Sequence, residues 1–277
     1  RKVDISSEDS YIKNYDKKSK NHIQSKKAYK LYGKKIKLGA ISAIHEIIEL
    51  DKLKEECKKN DATITQYLTA VLIYSIYTEN YLKHKGKRPI KVCIPINLKK
   101  YFPSNTISNF FSYMTVEAEM KKDNLTDFEK ILEFVKQEFK KKLTQEEIQN
   151  TMSNNVKLGI NPFIKTIPLF LKKPIVRLSY IEIRKYTTTT FSNIGRIGII
   201  GKYKDYIEEF LMLIAPEPVE KIKCSACSFE NKIVFTFTSI LDDAKIEKRF
   251  FEFLQGKGIP VKIESNGVLD VISTKIK

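Results

Sequence analysis

The stretch Arg88-Pro-Ile-Lys-Val-Cys-Ile-Pro-Ile-Asn-Leu-Lys-Lys-Tyr-Phe-Pro-Ser-Asn-Thr-Ile-Ser-Asn-Phe-Phe-Ser-Tyr-Met114 decides how the rest of the chain is read. Ile90, Val92, Ile94 and Ile96 alternate with Lys91, Cys93 and Pro95, a period of two that predicts a strand with one apolar face. Pro95 has no amide hydrogen to give to a ladder, which places it at an edge, a bulge or a strand end. The chain then passes through a polar loop, Asn97 to Ser108, and returns in an aromatic-rich segment, Asn109 to Glu117, that again reads as extended. Together the two strands deliver Asn97, Lys99 and Asn109 to one loop region that could form the rim of a site. On residue types alone the same pattern is an ordinary strand, loop and strand with asparagines capping the turns.

A chain of 277 residues with 42% hydrophobic and 11% aromatic residues is globular, and can fold as one large domain or two small ones. No apolar run approaches the ~20 residues that span a bilayer. The longest, Leu68 to Tyr77, is interrupted by Thr69 and Ser75 and reads as a buried helix. Nothing resembles a secretory signal, and because the first residue is Arg1 rather than Met, an upstream segment is expected to be removed or missing. Lys and Arg number 50 against 33 acidic residues, a formal charge of +17. Such a balance favours nucleic acid, an acidic membrane face or a phosphate-bearing cofactor. The lysines are spread over the whole chain, however, and lysine abundance with much Ile and Asn also follows from coding bias. The four cysteines, Cys57, Cys93, Cys224 and Cys227, are too few for a disulfide scaffold and fit a reducing cytoplasm.

Residues 1 to 37 are polar and lysine-rich, with aromatic beads at Tyr11, Tyr15, Tyr29 and Tyr32, and read as a basic linker or an arm lying on a surface. Interleaved basic and aromatic residues can stack on bases, but no helical face gathers these, which favours a solvated connector. Ile41 to Leu50 is extended and is followed by a helix, Asp51 to Lys59; Thr63 and Gln66 form a capping box for the apolar helix after them. Thr126 and Glu129 are read as the cap of an amphipathic helix with Phe128, Ile131, Leu132, Val135, Phe139 and Leu143 on one face. Thr144 and Glu147 start another, reaching about Leu158, and Asn161-Pro162 starts a third, which Pro168 and Pro174 must kink or end. Thr187 to Phe191, Ile207 to Ile214, Ile222 to Phe229 and Lys232 to Ser239 read as strands, the last two joined by a turn at Glu230-Asn231. Asp242 is read as the cap of a helix ending near Gly256 and Gly258, and Asn266-Gly267 as the turn between Pro260–Ile263 and Val268–Ile272. Hairpins in succession with helices in groups predict an α/β (α+β) fold: a mixed, mostly antiparallel sheet covered by helices.

Three histidines are available for general-base work. His22 and His84 lie in lysine-rich loops where solvation accounts for them, and His45, inside an apolar strand, is a core histidine before it is a catalyst. Cys224 and Cys227 form a lone Cys-x-x-Cys whose side chains point to opposite faces of a strand, and no second ligand pair exists for zinc. No Gly-x-Ser-x-Gly and no phosphate-cradling glycine loop occurs, so the residues alone assemble no self-sufficient catalytic constellation and no metal site.

Several motifs do fit a family. Ile94-Pro-Ile-Asn-Leu-Lys99, Tyr101-Phe-Pro103 and Ser108-Asn-Phe110 resemble the Val-Pro-x-Asn-Leu-Arg and Gly-Asn-Phe segments of the chloramphenicol-acetyltransferase-like acyltransferases. Phe191-Ser-Asn-Ile-Gly195 is similar to the Ser-Asn-x-x-Gly turn of the alcohol acetyltransferase and wax-ester-synthase branches, and Thr63-Ile-Thr-Gln-Tyr-Leu-Thr-Ala70 to a helix start of condensation domains. The order and spacing of these motifs across residues 38 to 265 carry the resemblance. It implies a two-lobed enzyme around a tunnel that admits acyl-CoA, or an acyl carrier, from one side and a small acceptor alcohol or amine from the other. The base of such enzymes is the second His of a His-His-x-x-x-Asp-Gly motif in the N-terminal lobe, absent from this sequence. Residues 38 to 277 therefore match a C-terminal lobe, with the N-terminal lobe as a partner in the same or a second polypeptide. The chain alone is expected to be inactive, with acyl-CoA as co-substrate and no permanently bound cofactor. Lys99 stands where the family has an Arg that pairs with the motif Asp; it keeps the charge without the bidentate fork. Asn97 and Asn109 would hold the loop, Ser192, Asn193 and Gly195 would shape the tunnel wall, and Arg196 would lie near the coenzyme route. The alternative reading is a non-catalytic basic module for nucleic acid or an acidic protein, recognisable by steep salt dependence.

Overall fold

A computed structural model describes residues 9–19, 26–36, 39–161, 164, 166–199, 201 and 203–269. In chain order its elements are α1 (Ser10–Lys13), β1 (Ser42–Glu49), α2 (Leu50–Lys59), α3 (Ile64–Ile76), β2 (Ile90–Asn97), β3 (Phe111–Ala118), α4 (Phe128–Lys142), α5 (Gln145–Ile160), α6 (Leu169–Ile183), β4 (Thr189–Arg196), β5 (Ile222–Phe229), β6 (Lys232–Ser239), α7 (Lys245–Gly256) and β7 (Val261–Ser265). The strands form one seven-stranded sheet in the order β3-β2-β4-β5-β6-β1-β7. β4 runs parallel to β2 and to β5, and the other pairs are antiparallel, the mixed sheet the hairpin pattern predicts.

The alternation read from Ile90 onward gives the sheet two unlike faces. Val92, Ile94, Phe191, Phe235, Phe237 and Ile44 are buried on one, beneath helices. Burying each such side chain stabilises the fold by about 1.5–3 kcal/mol, and Phe235 adds a stack on Phe250 of α7 at 4.5 Å. Helix α3 packs against α4, α7 and β2 and is buried nearly all round, as its unbroken apolar sequence requires. Its start is the expected capping box: Thr63 accepts from the Gln66 amide at 3.3 Å, and the Gln66 side chain accepts from the Thr63 amide at 2.8 Å. At its far end a π-helical turn, Tyr77–Tyr81, presents Asn80, which bonds the backbone of Tyr32 through both amide atoms.

That last contact corrects the solvated-connector reading of the first 37 residues for the part from 26 to 36. Ala28, Tyr29 and Leu31 are buried, and Tyr29 donates its hydroxyl to Asn80 at 2.8 Å. The segment lies across the starts of β2 and β4, its amides at 28 and 29 bonded to the carbonyls of Lys185 and Pro89. Because it is neither helix nor strand, it carries no periodicity for a sequence reading to detect.

Other boundaries shift by local chemistry. Asp127, not Thr126, caps α4 by accepting from the Lys130 amide at 2.9 Å. Ala244 precedes α7 with no side-chain cap, and Asp243 rather than Asp242 accepts from the Lys245 amide. Pro168 stands immediately before α6, and Pro174 lies inside it without ending it. The helix start proposed at Pro162 and the strand residues beyond 269 lie outside the described residues. The expected strand from Ile207 to Ile214 does not join the ladder, because β5 already has β4 and β6 at its two edges. The segment crosses the polar face of the sheet instead, and side chains serve its carbonyls: Ser225 donates to Met212, Cys227 to Phe210 at 3.1 Å and Thr238 to Ile214. Among the described residues no helix is long and apolar enough to cross a membrane.

Candidate functional site

Strands β2 and β4 pair over only two positions, Val92 with Thr189 and Cys93 with Thr190, and then part. Beyond that point Ile94 to Asn97 continue alongside β3 while Phe191 to Arg196 continue alongside β5. Pro95 explains where the pairing stops. Lys91 turns its amide and carbonyl toward Thr188, so the odd-numbered residues of β2 face β4 with their backbone groups. Pro95 thus falls where the next amide would have bonded β4, and supplies none. The result is a gap at the carboxyl ends of parallel strands, the position where mixed sheets generally admit ligands.

One rim of the gap is the end of β2. Asn97 is exposed, and its Oδ1 accepts from the Lys99 amide at 3.0 Å, starting a short 3-10 turn over Leu98–Lys100. Leu98 is buried beneath that turn, and its amide is bonded to the Phe110 carbonyl at 3.0 Å. The Lys99 ammonium donates to the Thr106 carbonyl at 2.8 Å, so it secures its own loop. Asn109 is exposed where the loop returns to β3.

The other rim is the end of β4, where a bulge between Asn193 and Gly195 interrupts the register with β5. Gly195 has a φ of +79°, a left-handed conformation that costs a side-chain-bearing residue about 1–2 kcal/mol. Its amide donates to Asn193 Oδ1 at 2.9 Å, and Asn193 Nδ2 donates to Thr65 Oγ1 at 3.1 Å in the first turn of α3. One asparagine thereby fixes the bulge and ties it to the helix beneath. Ser192, nearly buried, lies in register with Ser225. Arg196 is exposed and, with Asn193 and Gly195, lines a cleft of about 470 Å³ that the start of α2 and the β5–β6 turn complete. Of the other charged residues in that cleft, Lys54 pairs with Asp51 at 3.3 Å and Glu230 with Lys204 at 2.7 Å. Among the described residues Arg196 has no carboxylate partner.

His45 is not brought to this place. It lies in β1, three strands beyond β4, with Nδ1 2.9 Å from Thr236 Oγ1, beneath the neighbourhood of the crossing segment. Burial lowers its pKa below the ordinary 6.5, against the opposing pull of Glu264 and Glu209. His84 is exposed and stacks on Tyr32 at 4.7 Å, and His22 lies outside the described residues. Cys224 belongs to the apolar core while Cys227 bonds the crossing segment, so the two thiols occupy opposite faces of β5. Among the described residues no group of three or more His, Cys, Asp or Glu could hold a metal ion. Thr65 and Lys54, which reach the second rim, were not singled out by the sequence reading; Thr65 sits within the capping-box stretch but has no local signature of its role.

The alcohol acetyltransferase family profile matches residues 9–196, more than half of the chain. A search of the curated proteins finds no match to the sequence. Among solved structures, the trichothecene 15-O-acetyltransferase from Fusarium sporotrichioides superposes with a TM-score of 0.54 at 11% identity, covering 83% of this chain and 49% of that one. The epimerization domain from the third module of tyrocidine synthetase B gives 0.53 at 10% identity, covering 85% and 52%. The condensation domain that mediates chain release from the enacyloxin polyketide synthase gives 0.50 at 13% identity, covering 83% and 44%. At these identities the likeness is one of fold. The chain spans about half the length of the solved structures it matches.

Proposed function

This chain belongs to the alcohol acetyltransferase family, and from that premise we propose that it forms one wall of a CoA-dependent O-acyltransferase whose catalytic histidine comes from a companion lobe. The observation that supports this most is the parting of β2 and β4, which sets the two family-like motifs on facing rims of one gap. In the proposed reaction the companion's histidine takes the proton of an acceptor hydroxyl as its oxygen attacks the thioester carbonyl. The tetrahedral oxyanion then collapses, the carbon–sulfur bond breaks, and the departing CoA thiolate takes up the proton. Asn97, Lys99 and Asn109 would hold the first rim, with Lys99 securing its own loop through Thr106. Ser192, Asn193 and Gly195 would shape the second through the bulge. Arg196, an exposed cation in the cleft without a carboxylate partner among the described residues, would meet the phosphates of acyl-CoA. Four cysteines, too few for a disulfide scaffold, support a reducing compartment such as the cytoplasm.

The test is to titrate the isotope-labelled chain with acetyl-CoA and follow backbone amide resonances. Perturbation centred on Asn193, Gly195 and Arg196, weakened about tenfold by Arg196→Ala, is the expected outcome. Perturbation centred on His45 and Thr236, or binding indifferent to Arg196→Ala, would refute the assignment.

A further inference from the structure

Helix α6 contains no buried side chain although it is largely apolar. Leu169, Phe170, Leu171, Ile175, Val176 and Leu178 are each between 48% and 72% exposed. At about 100° per residue Phe170, Leu171, Ile175, Leu178 and Ile181 fall on one side, and Lys172, Lys173 and Arg177 on the other beside Leu169 and Val176. One apolar side with basic residues on the other is the arrangement of a helix that lies at a lipid surface.

The charges on α6 fit such a surface. Lys172, Lys173 and Arg177 are basic, and the helix's acid, Glu182, is already paired with Lys185 at 2.6 Å and Lys27 at 3.6 Å. Long basic side chains can bury their stems in an apolar layer and keep their charges among headgroups. The formal charge of +17 over the whole chain adds a general attraction to an anionic surface. Fifteen residues at 1.5 Å each give about 22 Å, short of the ~30 Å hydrocarbon core, so the helix would lie in the interface and not cross it. Its attachment leaves it available. Tyr180 donates to Glu217 at 3.1 Å, Arg184 pairs with the same carboxylate, and Lys30 donates to the carbonyls of Arg184 and Thr187. All of these contacts are at the carboxyl end of α6, beside the start of β4, whereas the cleft is at the end of β4.

We propose that α6 is a membrane-surface helix that seats the protein on anionic phospholipid. The proposal does not rest on the acyl-transfer reading, since it concerns a different end of the sheet. It is tested by sedimenting the 277-residue chain with vesicles of phosphatidylcholine alone or mixed with phosphatidylserine, at low and high salt. Binding to the mixed vesicles is expected, weaker in high salt, and reduced about tenfold or more in the double variant Phe170→Ser, Leu178→Ser. Because both side chains are exposed, that variant is expected to keep the wild-type melting temperature. Three outcomes would overturn the proposal. These are no vesicle binding, binding that the α6 variant leaves unchanged, and self-association by light scattering that the variant abolishes, which would make a second copy the occupant.

Discussion

Asn193 carries more of the site than its size suggests, because its two amide atoms serve two different elements. Oδ1 holds the Gly195 amide and Nδ2 reaches Thr65 on α3. Asn193→Ala is therefore expected to lower stability by about 1–2 kcal/mol in urea denaturation, and to loosen acyl-CoA binding if the bulge shapes the cleft. Gly195→Ala tests a different cause. An added Cβ there meets nothing within 4 Å, so any loss comes from the backbone at φ +79° alone. A loss of about 1–2 kcal/mol is expected, and less for Gly195→Asn, since asparagine tolerates that region better. The Ser192-Asn-Ile-Gly195 stretch, through its resemblance to the family's turn, made these residues visible in the sequence. Their partner Thr65 was not, because it lies 128 positions away and joins the turn only through folding.

At the scale of elements, β1 and α7 each bury an acid, and the two lie within each other's electrostatic field. Glu46 on β1 and Glu247 on α7 are almost completely buried, and neither carboxyl has a hydrogen-bonding side chain to pair with among the described residues. Burial first, and then Glu247, raises the pKa of Glu46 well above the ordinary 4.5. Burial, partly offset by its own backbone amide, pushes Glu247 up to about 8, with Asp243 adding to the rise. The buried Cys224 thiol lies within the field of both carboxyls, and burial first and then Glu247 raises its pKa. Both acids keep protons in the fold that the unfolded chain has already released above pH 4.5. Protons are thus lost on unfolding, and stability falls as the pH rises from about 4.5 toward about 8. Urea midpoints are expected to drop over that window by the equivalent of about 2–4 kcal/mol. Glu46→Leu is expected to flatten the slope and to raise stability at alkaline pH by about 1–3 kcal/mol, since it removes an unpaired buried acid. A profile unchanged by Glu46→Leu would remove the carboxyl pair as its cause. Helix α3 offers a simpler case: Thr63→Ala removes one side of the capping box and is expected to cost about 1 kcal/mol. The contrast shows what a sequence can reveal. Capping boxes and period-two strands depend on neighbours within a few residues, and α3, β2, β5 and β6 were legible for that reason. The segment from 207 to 214 alternates like a strand because it lies half-buried on a sheet face, so alternation alone could not tell it from a ladder strand.

Over the whole molecule, the sheet, its helical cover and the gap between β2 and β4 follow from patterns the chain displays, with Pro95 marking where the pairing ends. Two properties were not legible. Residues 26 to 36 are built into the fold without periodicity, and the uncovered state of α6 depends on what surrounds it, which an apolar sequence alone cannot specify. The proposed function makes one demand on the chain as a unit: His45, held in β1 against Thr236, is not the base of the reaction. The most direct measurement is release of free CoA thiol from acetyl-CoA by residues 1–277 in the presence of short- and long-chain alcohols. No transfer above the uncatalysed rate is expected from this chain alone. Sustained transfer, whether lost or retained in His45→Ala, would place a complete active site within these residues and contradict the account.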